Sequence, residues 1–240
     1  MGYIDIHSHV LPGVDDGAQD MEQSVAMLRQ AQDNGIQQMI VTPHQKEGRH
    51  CVSPQRMKGM AEHLQNVAKR EGISVELYCG NELYYRSGLV PLLQSGEVCT
   101  LAGSSYVLIE FSPADEFSYV RNGLYQILSA GYYPILAHGE RYRCLLNQEK
   151  RIRELNEMGC YLQVNVDSVL GKLGFGVKHY LHRLFQQRLV HFVSTDAHDT
   201  QKRRIRTAEC AKVLKRKYGE RYTMELLRDH AQYVIKDMEI

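Results

Sequence analysis

Short apolar or β-branched runs recur along the chain about every 30 to 35 residues, and the stretches between them repeat their apolar positions every three or four residues. The runs predict strands over residues 3–6, 38–42, 75–79, 106–109, 133–137, 161–166 and 190–195. The first intervening helix shows how the others are read. Asp20 can cap it, Gln23 stands three residues on, Met21, Val25 and Leu28 share a face, and Gly35 ends it. Further helices are predicted over residues 55–70, 118–130, 148–158, 177–187, 201–217 and 222–230. This alternation predicts one α/β domain spanning residues 1–240, a distorted (β/α)7 TIM-like barrel rather than a bundle or a sandwich. Residues 11–17 and 45–54 carry turn residues without periodicity and are expected as loops bordering the barrel mouth.

Composition narrows the class without choosing a partner. With 29 basic and 28 acidic residues the formal charge is +1, so no global field attracts nucleic acid or an anionic membrane. No basic stretch followed by an apolar run opens the chain, and no segment approaches the roughly 20 apolar residues that span a bilayer. A cytoplasmic protein without membrane insertion is expected. The 6 cysteines (51, 79, 99, 144, 160 and 210) include no Cys-x-x-Cys pair, which predicts reduced and mostly buried thiols.

Chemistry concentrates at the strand ends. The first strand runs into Asp5-Ile6-His7-Ser8-His9, and the later ones are followed by His44, Glu82, Glu110, His138, and Asp196 with His198. Side chains alternate along a strand, so His7 and His9 face the same way and can share one ion. In a parallel barrel all strand C-termini open onto one face, where these residues would converge. Together with Asp16 from the first loop they make a nitrogen and carboxylate set without cysteine, suited to manganese, iron or zinc. So many ligands exceed the needs of one ion and imply two or three. Arg141, beyond His138, and Arg203, beyond His198, could grip phosphate oxygens bidentately, with Arg204 competing for the second role. A phosphoester substrate is expected.

Other features read more plainly. Cys210 and Arg216 have the Cys-x5-Arg spacing of cysteine-dependent phosphatases, but no glycine lies between them and the segment reads as amphipathic helix. His50, His63, His179, His182, His191 and His230 are expected at the surface or in packing. Tyr84-Tyr85 is expected in the core, and the basic run 202–206 as a solvated helix start.

Taken together, Asp5-Ile-His-Ser-His9, Val14-Asp-Asp-Gly17, Val41-Thr-Pro-His44, Gly80-Asn-Glu-Leu-Tyr-Tyr85, Val107-Leu-Ile-Glu-Phe111, Ala137-His-Gly-Glu-Arg-Tyr142, Gln163-Val-Asn165 and Ser194-Thr-Asp-Ala-His198 resemble the PHP (polymerase and histidinol phosphatase) superfamily. Within it, the chain resembles the manganese-dependent bacterial protein-tyrosine phosphatases of the CpsB/YwqE type, nearly end to end. The resemblance implies a PHP-fold barrel in which His7, His9, Glu82 and Asp196 hold one metal. Glu82 would bridge to a second held by Glu110 and His138, and a third would take Asp16, His44 and His198. It further implies hydrolysis of phosphotyrosine by a metal-bridging hydroxide, with Arg141 and Arg203 on the phosphoryl oxygens. The implied partner is the tyrosine-rich tail of a bacterial tyrosine kinase controlling capsule or exopolysaccharide synthesis. Histidinol-phosphate phosphatase is the alternative in the same superfamily, and a phosphotyrosine-binding module the non-enzymatic one. Asp15 against Asp16, and a homo-oligomeric state, stay open at this point. Gly139 stands where related chains usually have proline and is expected to loosen the backbone beneath Arg141.

Overall fold

The computed structural model describes residues 2–240. Its strands are β1 (Tyr3–Asp5), β2 (Ile36–Val41), β3 (His44–Gln45), β4 (Glu76–Cys79), β5 (Glu82–Tyr84), β6 (Tyr106–Glu110), β7 (Tyr133–Leu136), β8 (Tyr161–Asn165) and β9 (Phe192–Ser194). All the ladder pairings among them are parallel, in the orders β1-β2-β4 and β3-β5-β6-β7-β8-β9. Each predicted run is present, and the second and third are each followed by a short strand, β3 and β5, that no predicted run covered. Pro43, which has no N–H to give the ladder, separates β2 from β3, and Gly80-Asn81 separates β4 from β5. Asn81 repairs the break, donating to Pro43 O at 3.1 Å and accepting from Cys99 N at 2.9 Å. The ring is joined where Asp196 N donates to His7 O and His9 N to Ala197 O, both at 2.9 Å.

The helices are α1 (Met21–Asp33), α2 (Pro54–Arg70), α3 (Leu89–Ser95), α4 (Phe117–Ser129), α5 (Glu149–Glu157), α6 (Val166–Leu170), α7 (Phe175–Gln186), α8 (Thr207–Tyr218), α9 (Glu220–Met224) and α10 (His230–Lys236), the last two joined by a π-helical turn, Glu225–Asp229. Asp20 caps α1 by accepting from Gln23 N at 2.8 Å, while Gln23 reaches back to Gln19 N rather than to the cap itself. The short α3 and α6 were not legible as periodic segments, being too brief to repeat a face. The helix predicted from residue 201 starts at Thr207, because Asp199 takes the amides of Gln201 and Lys202 and holds residues 199–203 in a turn. The basic run is therefore largely a loop and not a helix start.

Strands apolar on both faces suit a sheet buried on both sides. Ile4, Ile6, Ile40, Tyr106, Leu108, Ile135 and Phe192 pack together in one cluster, and larger clusters join the strands to the surrounding helices. All six cysteines are free as expected, but only Cys160 and Cys210 are buried; Cys51 is exposed and the other three are half-buried. The expectation of mostly buried thiols fails because Cys79 and Cys99 line an open groove, about 860 Å³ in volume, between α2 and β4. Among the described residues no helix is long and apolar enough to cross a membrane.

Candidate metal centre

The strand ends bring every predicted ligand and both arginines to one mouth. His7 and His9 follow β1, and both are buried. Their Nε2 atoms lie 3.3 Å apart, each 3.3–3.4 Å from Glu82 Oε2 and 3.5 Å from Asp196 Oδ1. Two ring nitrogens facing two carboxylate oxygens at these distances form a cage in which a cation, or shared protons, must balance the charge. Glu82 is the common member. Its Oε1 meets His138 Nε2 at 2.7 Å and its Oε2 meets His44 Nδ1 at 2.8 Å. Glu110 stands beside them, 3.6 Å from His138 and 3.8 Å from His44. A further set forms where Asp16 Oδ1 approaches His44 Nε2 at 3.3 Å and His198 Nε2 at 3.4 Å.

Asp15 and Asp16 divide their work. Asp15 turns inward and accepts from His9 Nδ1 at 2.8 Å, His44 N at 3.0 Å and Gly17 N at 3.0 Å. It orients His9 and ties the first loop to β3, leaving Asp16 to face the open site with 58% of its side chain exposed.

Asp196 has two faces. While Oδ1 looks into the histidine cage, Oδ2 accepts from Asn165 Nδ2 at 2.7 Å, Arg203 at 2.8 Å and Arg141 at 3.2 Å. Asp196 (φ 51°) and His138 (φ 34°) both sit in the left-handed backbone region, unusual for residues other than glycine and found where a site over-determines its backbone. Beneath Arg141, Gly139 is not loose. A Cβ at this position would come within 2.2 Å of Leu162 Cδ1, so the glycine makes room for that buried side chain, and Arg141 N closes a tight turn onto His138 O at 2.9 Å.

Gln163 and Asn165, quoted above only within a family-like segment and given no role there, hydrogen-bond to residues of the site. On β8 they alternate inward as His7 and His9 do. Gln163 Oε1 accepts from His138 N at 2.7 Å and lies 3.2 Å from His7 Nδ1; its amide donates to Asn165 Oδ1 at 2.8 Å. One polar chain thus links His7, His138 and Asp196. The same period of two that singled out His-x-His was the available signal. Buried Glu140 fixes the end of β8 by accepting from Asn165 N at 3.0 Å and from the Ser168 hydroxyl.

Electrostatics follow this geometry. Burial resists protonation of His9, yet its hydrogen bonds to the carboxylates of Asp15, Asp196 and Glu82 push its pKa well above the ordinary value. His44 is likewise raised, to about 10, as Asp16 and Glu82 outweigh burial. Burial would raise the Glu82 and Asp196 carboxyls, but the surrounding histidines hold both well below the carboxylate range, Arg203 adding to the effect on Asp196. Burial and the Glu82 charge leave Glu110 raised. The site therefore demands positive charge, and protons on histidine compete with a metal for it. Three groups have ligand atoms close enough to share an ion: His9, Asp16, His44 and His198; His7, His9 and Glu82; His44, Glu82 and Glu110. Glu82 Oε2 and His198 Nε2 are buried without a well-formed hydrogen bond, as atoms reserved for a cation would be. The donor set thus fits divalent ions.

Of the remaining expectations, Cys210 lies fully buried in α8 with its thiol pushed up by burial, which removes a cysteine mechanism. His50 alone among the other histidines nears the site, its ring 6.1 Å from that of His44.

The chain matches over residues 3–236 a family described as capsular polysaccharide synthesis, CpsB/CapC. It is 34% identical to the tyrosine-protein phosphatase CpsB of Streptococcus pneumoniae, covering 99% of this chain and 100% of that protein. It is 32% identical to the tyrosine-protein phosphatase YwqE of Bacillus subtilis, covering 99% of this chain and 93% of that protein. A crystal structure from work on YwqE and CpsB, described as unique metal-dependent tyrosine phosphatases, superposes with a TM-score of 0.93 at 31% identity over 99% of this chain and 96% of that one. The phosphotriesterase homology protein of Escherichia coli, solved with phosphate in its active site, shares the fold at 14% identity and a TM-score of 0.62.

Proposed function

On the premise that this chain belongs to the CpsB/CapC family, which the match over residues 3–236 and the 34% identity to a full-length relative establish, we propose that it is a metal-dependent protein-tyrosine phosphatase. One observation carries the reading. Asp196 joins the histidine cage on Oδ1 to two arginines on Oδ2, so a phosphate held at the cage lies within reach of two guanidinium forks.

The ions would be held by His7, His9, Glu82 and Asp196; by Glu82, Glu110 and His138; and by Asp16, His44 and His198. Manganese is the ion proposed here, and the nitrogen and carboxylate donors suit iron or zinc as well. When bound, such ions supply Lewis-acid charge and a water of lowered pKa. The protein's own groups do the rest. Arg141 and Arg203, both about one-third exposed, can swing from Asp196 Oδ2 onto phosphoryl oxygens. Asn165 stays on Asp196 and keeps the carboxylate aimed at the cage after the arginines leave it. The guanidinium charges then stabilise the negative charge that builds on the phosphoryl group as the bond to the tyrosyl oxygen breaks. Water supplies the new oxygen on phosphorus and the proton taken up by the departing tyrosyl oxygen, so inorganic phosphate and a tyrosine hydroxyl are the products. The substrate is the phosphorylated, tyrosine-rich tail of a bacterial tyrosine kinase that governs capsule or exopolysaccharide synthesis, met by this protein in the cytoplasm.

The test compares hydrolysis of a phosphotyrosine peptide, a phosphoserine peptide, histidinol phosphate and a dinucleotide, with manganese and with chelator. Manganese-dependent preference for the phosphotyrosine peptide is expected. Arg141→Ala and Arg203→Ala should each lower kcat about 10²- to 10³-fold. Preference for histidinol phosphate, or no turnover of any substrate, would overturn the reading.

A further inference from the structure

The strand that carries Glu82 continues to one more inward position. Leu83 and Tyr85 are buried in the core, Tyr85 stacking on Phe111 with centroids 4.8 Å apart and bonding Gln126 at 2.9 Å. Tyr84 follows Glu82 on the same face, stays half-buried, and lies in register across from Glu110. The tyrosine pair expected in the core thus splits, one ring packing there and the other reaching the mouth. By the same alternation Lys46 follows His44, and its ammonium sits 3.6 Å from the centroid of the Tyr84 ring. A tight hairpin fixes Lys46 there, its N–H donating to His50 O at 2.7 Å and its carbonyl accepting from His50 N at 3.0 Å.

An aromatic face and a cation therefore stand on the rim beside His44, Glu82 and Glu110, while the arginines occupy the β7 and β9 sides. Phosphotyrosine presents a rigid ring between its phosphate and its backbone. Held by the phosphate, that ring must leave the site past the rim, where a tyrosine face and an ammonium offer stacking and a cation–π contact. A serine or threonine phosphate has nothing to place there.

We infer that Tyr84 and Lys46 form the aryl wall of this site, making it favour phosphotyrosine over aliphatic phosphoesters. The inference rests on the phosphatase reading above. Its test measures, on manganese-loaded protein, the Kd of a non-hydrolysable phosphonomethyl-phenylalanine peptide and of inorganic phosphate, beside kcat/KM for phosphotyrosine and phosphoserine peptides. Tyr84→Leu should weaken the analogue roughly three- to tenfold and leave phosphate affinity unchanged, and Tyr84→Phe should restore the wild-type value. Lys46→Met, on an exposed hairpin, should weaken it about two- to fivefold and narrow the ratio of phosphotyrosine to phosphoserine turnover. Unchanged analogue affinity in both Tyr84→Leu and Lys46→Met, or a parallel loss of phosphate affinity, would overturn the wall. Turnover of both peptides without preference for phosphotyrosine would likewise overturn the wall, whereas wild-type protein that turns over neither peptide would instead sink the phosphatase reading, whatever these variants do.

Discussion

Two partly buried histidines, at opposite ends of the same barrel, move in opposite directions. At the mouth His44 is raised to about 10, whereas His191, just before β9 at the base, is lowered to about 4. Burial disfavours the charged ring at both places. What differs is the company. His44 touches Asp16 and Glu82, while His191 packs against the Tyr161 ring at 5.1 Å, accepts from Leu162 N at 3.1 Å and feels only the unfavourable charge of His230. A histidine at the base is thus a neutral packing piece, and one at the mouth belongs to a cluster of negative charge waiting for cations. Burial alone does not make a functional site; convergence of unlike charged groups does.

The hardest blow to the mouth is Glu82→Gln, because this carboxylate touches His7, His9, His44 and His138. It should cut turnover by more than about 10³-fold and lower the metal content read by elemental analysis. Full metal occupancy with near-normal turnover would show that the cage does not depend on its shared member.

At the base the expected effect is on stability. The unfolded His191 titrates near 6.5 and the folded one near 4, so the unfolded chain binds more protons between these values and stability falls as pH drops through that window. The loss is at most about 3 kcal/mol. His44 has the opposite sign: its contribution is complete below 6.5 and is lost as pH rises toward 10. Urea unfolding of chelated protein at pH 7 and pH 4.5 should therefore show a smaller acid loss in His191→Asn than in wild type. Equal losses would place the acid sensitivity elsewhere, in the mouth included.

A milder change tests whether the mouth needs its supporting polar chain. Gln163→Leu removes the acceptor for His138 N and the neighbour of His7 Nδ1 without removing a predicted ligand. Metal affinity should fall about 10- to 100-fold while the fold survives, as calorimetric titration would reveal. Unaltered affinity would mean that backbone geometry alone orients the cage.

The amino-acid sequence by itself determined seven of the nine strands, the parallel α/β fold, and the set of residues that meet at one mouth, because strand periodicity and strand-end placement are local patterns. His-x-His, the ligands after later strands and the two arginines were all legible this way. Tertiary structure decided what local pattern leaves degenerate. Asp15 and Asp16 are adjacent carboxylates, and only the approach of His9 and the β3 amide assigns the first to support and the second to the open site. Gly139 reads as loose backbone until Leu162, from a neighbouring strand, is found to fill the space a Cβ would take. Residues 202–206 read as helix until Asp199 folds them into the turn that delivers Arg203 to Asp196. In each case the deciding partner lies outside the pattern being read, and contact energies between such partners, not the periodicity of either segment, select the arrangement.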